Sequence, residues 1–324
     1  MSRNKTDPTG QRRNRNRATR ALHKRLRNAR NEVTDLFLSL PYEKLTVSRT
    51  QALTNQVRFR YQADAQTMQR LAIQIATQLN IDLQTLSSGM PPEWFFQEFI
   101  EIASRSGVSE DIRDIEQEIR ALENTGMLVT DTGIGKTTVN IESISQSAVY
   151  QRWLNSQYVY NYQIVKTLSQ KTANDAFQVI RDGVEAGVNP RTVAREIKKR
   201  FDVSKSDAER IARTEINGAY NSSKLDMTDE LENAYGIKLG TLHISARLPT
   251  TRLTHAERHG RVYTTEQQRK WWATKPNRIN CFCSTQKVAV DPKGEPLNER
   301  LIGRVTTQRE EFLEQREKQL ENKS

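Results

Sequence analysis

Three of the four histidines and both cysteines fall within residues 243–283. His255 and His259 are four residues apart, so one helical turn places both imidazoles on one side. A single residue separates Cys281 from Cys283, and in an extended segment residues i and i+2 point the same way. His255, His259, Cys281 and Cys283 thus make a His₂Cys₂ set suited to structural zinc, with no coordination position left open for catalysis. The alternative is two reduced thiols in a tight turn beside ordinary polar histidines. His243 falls on the polar side of an alternating segment, which predicts a surface position.

Residues 130–137, TDTGIGKT, end like a phosphate-binding loop. That loop needs glycine at 130 and a helix starting at Lys136, because backbone N–H groups and a helix N-terminus hold the phosphates. The chain has Thr130, and residues 137–141 are β-branched and read as extended. No nucleotide is expected, and residues 125–141 read as a Gly-rich extended piece. The chain has no Gly-x-Ser-x-Gly, no dinucleotide fingerprint and no carboxylate pair beside a histidine. Glu215, in mid-helix, reads as a salt-bridge partner at the helix surface or between helices. These features predict a protein that is not an enzyme.

The elements that must position these residues follow from composition and periodicity. The chain has 324 residues, 35% hydrophobic and 27% charged, with no apolar run near membrane-span length and no apolar stretch behind the basic N-terminus. Two closely spaced cysteines are no disulfide framework, which suits a reducing compartment. The net charge is +11, and residues 1–30 hold eleven Lys/Arg against Asp7 alone. Such a block reads as a solvated tail or as a phosphate-binding arm. Its DNA-binding candidates are Arg12, Arg13, Arg15, Arg17, Arg20, Lys24, Arg25 and Arg27.

The expected fold class is α+β, predominantly α. A disordered basic arm covers residues 1–17, a helical half 18–165, a small α+β domain 166–290, and a polar tail with a charged helix 291–324. In the helical half, spacings of three to four predict helices over 18–40, 48–79, 93–103, 109–122 (with Ser109 as N-cap) and 143–168. Next come helices over 171–186 and from Asn189-Pro190 to Phe201, then one opened by Ser206-x-x-Glu209 as a capping box. Strands are predicted at 239–245, 261–264 and 286–290, and a last helix at 301–322.

The segments GVNPRTVAREIKKRF, AERIARTEINGAYNSSK, SARLPTTRLTHAERHGRVYT and NRINCFCST, taken in order, resemble the phage Mu protein F-like, or head morphogenesis, family of minor head proteins over residues 165–290. Arg213, Glu215, Arg252, His255, Gly260, Cys281 and Cys283 stand at that family's recurring positions. Relatives often carry an acid just before the Arg-x-x-His; here residues 248–251 are Leu-Pro-Thr-Thr. The resemblance implies a virion component inside the capsid near the portal vertex, assembled in the host cytoplasm, with the portal protein, the capsid interior and phage DNA as partners and no membrane. The other reading is a metal-dependent nucleic-acid-processing protein that uses the His/Cys cluster.

Overall fold

A computed structural model describes residues 4–47, 56–84, 94–126, 139–274 and 276–321. The fold is α+β and predominantly helical, with two small antiparallel sheets. Residues 1–15, 96–158 and 213–324 form one compact unit, and residues 16–95 and 159–212 a second. The loop-like segment 130–137 lies outside the described residues.

Helix α1 (Arg12–Leu38) starts well before Ala18, and residues 4–11 ahead of it are not a loose arm. Asp7, the one acid in this stretch, accepts from the Arg12 backbone N–H at 3.0 Å and pairs with Arg15 at 3.0 Å. A carboxylate on the first free N–H groups of a helix satisfies donors that have no intrahelical partner. Asp7, Thr9, Gln11, Asn14 and Arg15 are buried.

In the second unit, Ala18, Leu22, Leu26, Ala29, Val33 and Phe37 form the buried stripe of α1. A hairpin follows, β1 (Tyr42–Val47) against β2 (Gln56–Tyr61), with Tyr42 opposite Tyr61. The helix expected over 48–79 is thus corrected: residues 48–55 lie outside the described residues, and 56–61 form a strand. Val57, Phe59 and Tyr61 alternate with Arg58 and Arg60, a period of two that wins locally over the helical reading. Helix α2 (Ala65–Gln84) begins after Asp64, whose Oδ1 accepts from the Thr67 N–H at 2.8 Å.

Several expected helices prove to be continuous. Helix α3 (Glu101–Glu123) follows a π-turn at Phe96–Ile100 and runs through Ser109, which caps nothing. Gly107 lies inside α3, where an added Cβ would sit 2.3 Å from the Tyr220 carbonyl oxygen, so the backbones approach too closely for any side chain. After the short α4 (Ile141–Gln146), α5 (Ala148–Glu185) and α6 (Pro190–Asp226) each merge two expected helices. No Gly or Pro lies between Phe201 and Ser206, and Val193, Ile197, Phe201, Ser204, Ala208, Ala212 and Ile216 stay buried at helical spacing. Ser206 therefore sits in mid-helix and opens no capping box.

The first unit carries helix α7 (Thr228–Tyr235) and a three-stranded sheet, with strand order β4 (Val262–Tyr263), β3 (Leu239–Ile244), β5 (Ser284–Ala289). Leu242, Ile244 and Val288 pack against Leu301 and Val305 of α10 (Glu299–Glu321). The opposite face, with Thr241, His243 and Lys287, is fully buried as well. Helix α9 (Thr265–Ala273) covers it: Gln268 meets His243 Nδ1 at 3.2 Å, and Trp271 packs edge-on to the His243 ring. This overturns the surface position expected for His243. Alternation reveals which residues share a face, but not what covers that face.

Candidate metal centre

The cysteine turn hangs on helix α6. Arg213 Nη1 donates to Asn280 Oδ1 at 3.3 Å, and Thr214 Oγ1 accepts from the Asn280 backbone N–H at 3.2 Å. Glu215 forms an ion pair with Arg278. Further along the helix, Asn217 Nδ2 donates to the Cys281 carbonyl at 2.7 Å and Asn221 Nδ2 to the Cys283 carbonyl at 2.9 Å. Arg-Thr-Glu is therefore three consecutive grips on residues 278–280. Glu215 is buried in that role, not at the surface. Asn280 has φ 54°, a left-handed conformation that Asn tolerates better than most residues, and it reverses the chain into Cys281.

Cys281 and Cys283 are free, buried and on the same side of this turn. The segment is irregular, between the turn at 276–280 and β5, and not the extended strand expected, and the Cys283 N–H donates to Cys281 Sγ at 3.4 Å. Phe282 faces away from them, between the guanidinium groups of Arg15 (4.9 Å) and Arg213 (5.3 Å). A hydrogen bond between the two sulfurs lowers the Cys283 thiol pKa and raises that of Cys281.

His255, on the single turn of α8 (Leu253–Ala256), completes a buried group. Its Nδ1 lies 3.5 Å from each sulfur. A tetrahedral zinc with bonds of about 2.3 Å to sulfur and about 2.05 Å to nitrogen sets N···S edges of about 3.5 Å. The three ligand atoms lie within 4.8 Å of one another and could hold a metal ion. Arg252 stands behind the ring. Its Nε–H donates to His255 Nε2 at 2.9 Å, while its Nη donors reach the carbonyls of Pro276, Asn277 and Ile279 at 3.0–3.2 Å.

His259 is not in this group, which corrects the expected four-ligand set. Its Nδ1 faces the Ser245 backbone N–H at 3.0 Å and its Nε2 faces Arg247 Nη1 at 2.9 Å. A helix running from 255 to 259 would have put both rings on one side, but α8 ends at Ala256. Burial, then the Arg247 charge, lowers the His259 pKa to about 4. Gly260 follows at φ 77° and donates its N–H to the His243 carbonyl at 2.9 Å.

A cavity of about 320 Å³ borders the three ligands, walled also by Arg213, Thr251, Arg252 and Asn280. Sequence reasoning missed His243, Trp271, Asn217 and Arg278 as neighbours of the centre. Only the run Asn-Cys-x-Cys hinted at a special turn there.

The expected DNA-binding residues divide. Arg12, Arg13, Arg17, Arg20, Lys24 and Arg27 are exposed. Arg25 is half-buried, 4.1 Å over the Trp94 ring. Arg15 is buried and spent on Asp7, Thr9 and Asn217. Arg13, Arg17, Arg20, Lys24 and Arg27 recur at spacings of four and three, one stripe opposite the Leu22–Leu26 face. At a rise of 1.5 Å per residue the stripe is about 21 Å long.

No curated protein and no solved structure matches the chain. Residues 174–286 match the family model described as phage Mu protein F like protein. This stretch holds Arg213, Glu215, Arg252, Gly260 and all three ligands of the buried group, so the centre lies within a phage Mu protein F-like domain.

Proposed function

We infer that the protein is a non-enzymatic minor head protein, which acts in head morphogenesis at the portal vertex and contacts packaged DNA without sequence preference. The family domain supports the first part. The observation that carries the second is the exposed stripe of five cations on α1. Four of the five are arginines, whose planar fork suits phosphate oxygens. The stripe contains no aromatic residue for base stacking, so binding is electrostatic and steeply salt-dependent. The buried His/Cys group would hold a structural zinc that fixes the turn between α6 and β5, with virion interior and host cytoplasm as the places of action.

The test is DNA binding by the full chain across a salt series. Arg17→Gln, Arg20→Gln and Lys24→Gln together should weaken binding and flatten the salt slope by about 0.9 per lost contact. Arg15→Gln should leave the slope alone, because that side chain is buried. An unchanged slope in the triple variant ends the DNA reading. Portal binding is tested by native mass spectrometry with the portal protein of the same phage, where a complex that survives the triple variant places that function elsewhere than the stripe. The cavity beside the three ligands favours a second reading, a metal-dependent nucleic-acid-processing protein. Chelator-sensitive DNA cleavage would support it.

A further inference from the structure

The geometry points to His243 as the fourth ligand of the buried centre, closing a His₂Cys₂ site with His255, Cys281 and Cys283. This rests on the metal reading above and deepens it, because three protein ligands alone would leave a position open.

The first support is an orphan. His243 is fully buried, and its Nε2 has no hydrogen-bond partner among the described residues. Leaving a buried polar atom unpaired is costly, so a ligand is the natural use for it. The second support is direction. His243 and Ser245 leave β3 on the same face, and Ser245 Oγ lies 3.8 Å from Cys283 Sγ. The rings of His243 and His255 both stand edge-on to Trp271, at 5.1 and 4.6 Å between centroids.

The third support is the outer shell. A metal-bound imidazole needs an acceptor for its other N–H. Ligation through Nε2 would put the ring hydrogen of His243 on Nδ1, where the Gln268 amide presents its oxygen at 3.4 Å and its nitrogen at 3.2 Å. Arg258 Nη2 donates to that same oxygen at 2.9 Å and fixes the amide's orientation. His259 lies apart from the group, with its Nδ1 accepting from the Ser245 N–H and its Nε2 against Arg247. His243 stands outside the 4.8 Å group, so ligation draws its ring and the Cys283 turn together.

The test uses the full chain loaded with zinc alone. X-ray absorption of the wild type should show two sulfurs and two imidazoles, the latter counted from their multiple scattering. His243→Ala should weaken zinc binding about 10–100-fold or more, and His259→Ala should leave it within about twofold. Two sulfurs with one imidazole and a light oxygen would overturn the assignment while the metal reading survives. No zinc in the wild type would overturn both. The absorption result on the wild type decides even if His243→Ala fails to fold.

Discussion

The Nε–H of Arg252 points at His255 Nε2 from 2.9 Å, and this contact aims the opposite nitrogen, Nδ1, at the two sulfurs. Arginine only donates, so in the neutral ring the hydrogen sits on Nδ1 and faces the thiolate. A metal on Nδ1 moves that hydrogen to Nε2, and the Arg252 Nε contact must yield. The three carbonyls on the Nη atoms keep the guanidinium in place. Arg252→Ala removes four donated bonds at once. At roughly 0.5–1.5 kcal/mol each, the expected loss in urea unfolding is about 2–6 kcal/mol. Lysine lacks the planar fork, so Arg252→Lys should recover less than half. Full recovery by lysine would mean that charge, not geometry, holds the turn.

Asn217 joins two segments far apart in sequence. Its Oδ1 accepts from Arg15 at 2.8 Å while its Nδ2 donates to the Cys281 carbonyl at 2.7 Å. Removing either Arg15 or Asn217 disturbs the same buried network, so their effects should not add. In a double-mutant cycle of Arg15→Ala and Asn217→Ala, the coupling energy should fall at about 0.5–3 kcal/mol. Additive losses would separate the N-terminal segment from the cysteine turn.

What the sequence made legible follows the range of each signal. The stripe of α1 and the pair Asn189-Pro190 are local, and both elements form where those residues predict. The shared side of Cys281 and Cys283 was also legible, although a turn produces it. Helix breaks at 201–206 and at 109 were misread because Ser is compatible with a cap and with a helix interior; the unbroken buried stripe decides. The roles of His243 and His259 were not legible. Three-residue reach along a strand or helix does not tell whether α9 covers the polar face of β3, or that α8 stops after one turn. Arg15 looked like any other cation of its block, and only Asp7 and Asn217 set it apart.

Gly260 is fixed by conformation and by space. Its φ of 77° lies where L side chains are strained, and an added Cβ would sit 3.1 Å from the Val305 carbonyl carbon and 3.2 Å from the Thr306 nitrogen. These are backbone atoms of α10, which cannot rotate aside. The left-handed conformation alone costs about 1–3 kcal/mol, and the crowding adds to it. Gly260→Ala should lower the melting temperature and raise hydrogen exchange along α10. A melting curve that superposes on the wild type would show that α10 shifts freely.

His259 ties stability to pH. Burial first, and then the charge of Arg247, lowers its pKa from 6.5 to about 4. A neutral imidazole has one acceptor nitrogen, yet the Ser245 N–H and Arg247 face the two nitrogens, and the Gln308 side chain offsets the cost of a second ring proton only in part. Between pH 6.5 and 4 the unfolded chain binds this proton and the folded chain does not. Stability from this residue is therefore complete above pH 6.5 and falls as pH drops toward 4. A shift of this size corresponds to about 3 kcal/mol at 1.36 kcal/mol per pKa unit. His259→Gln cannot titrate. Urea unfolding at a series of pH values should show a shallower fall for this variant between pH 6.5 and 4, by about that amount. Parallel curves for the two proteins would mean that the ring is protonated in the folded state, with Arg247 turned away.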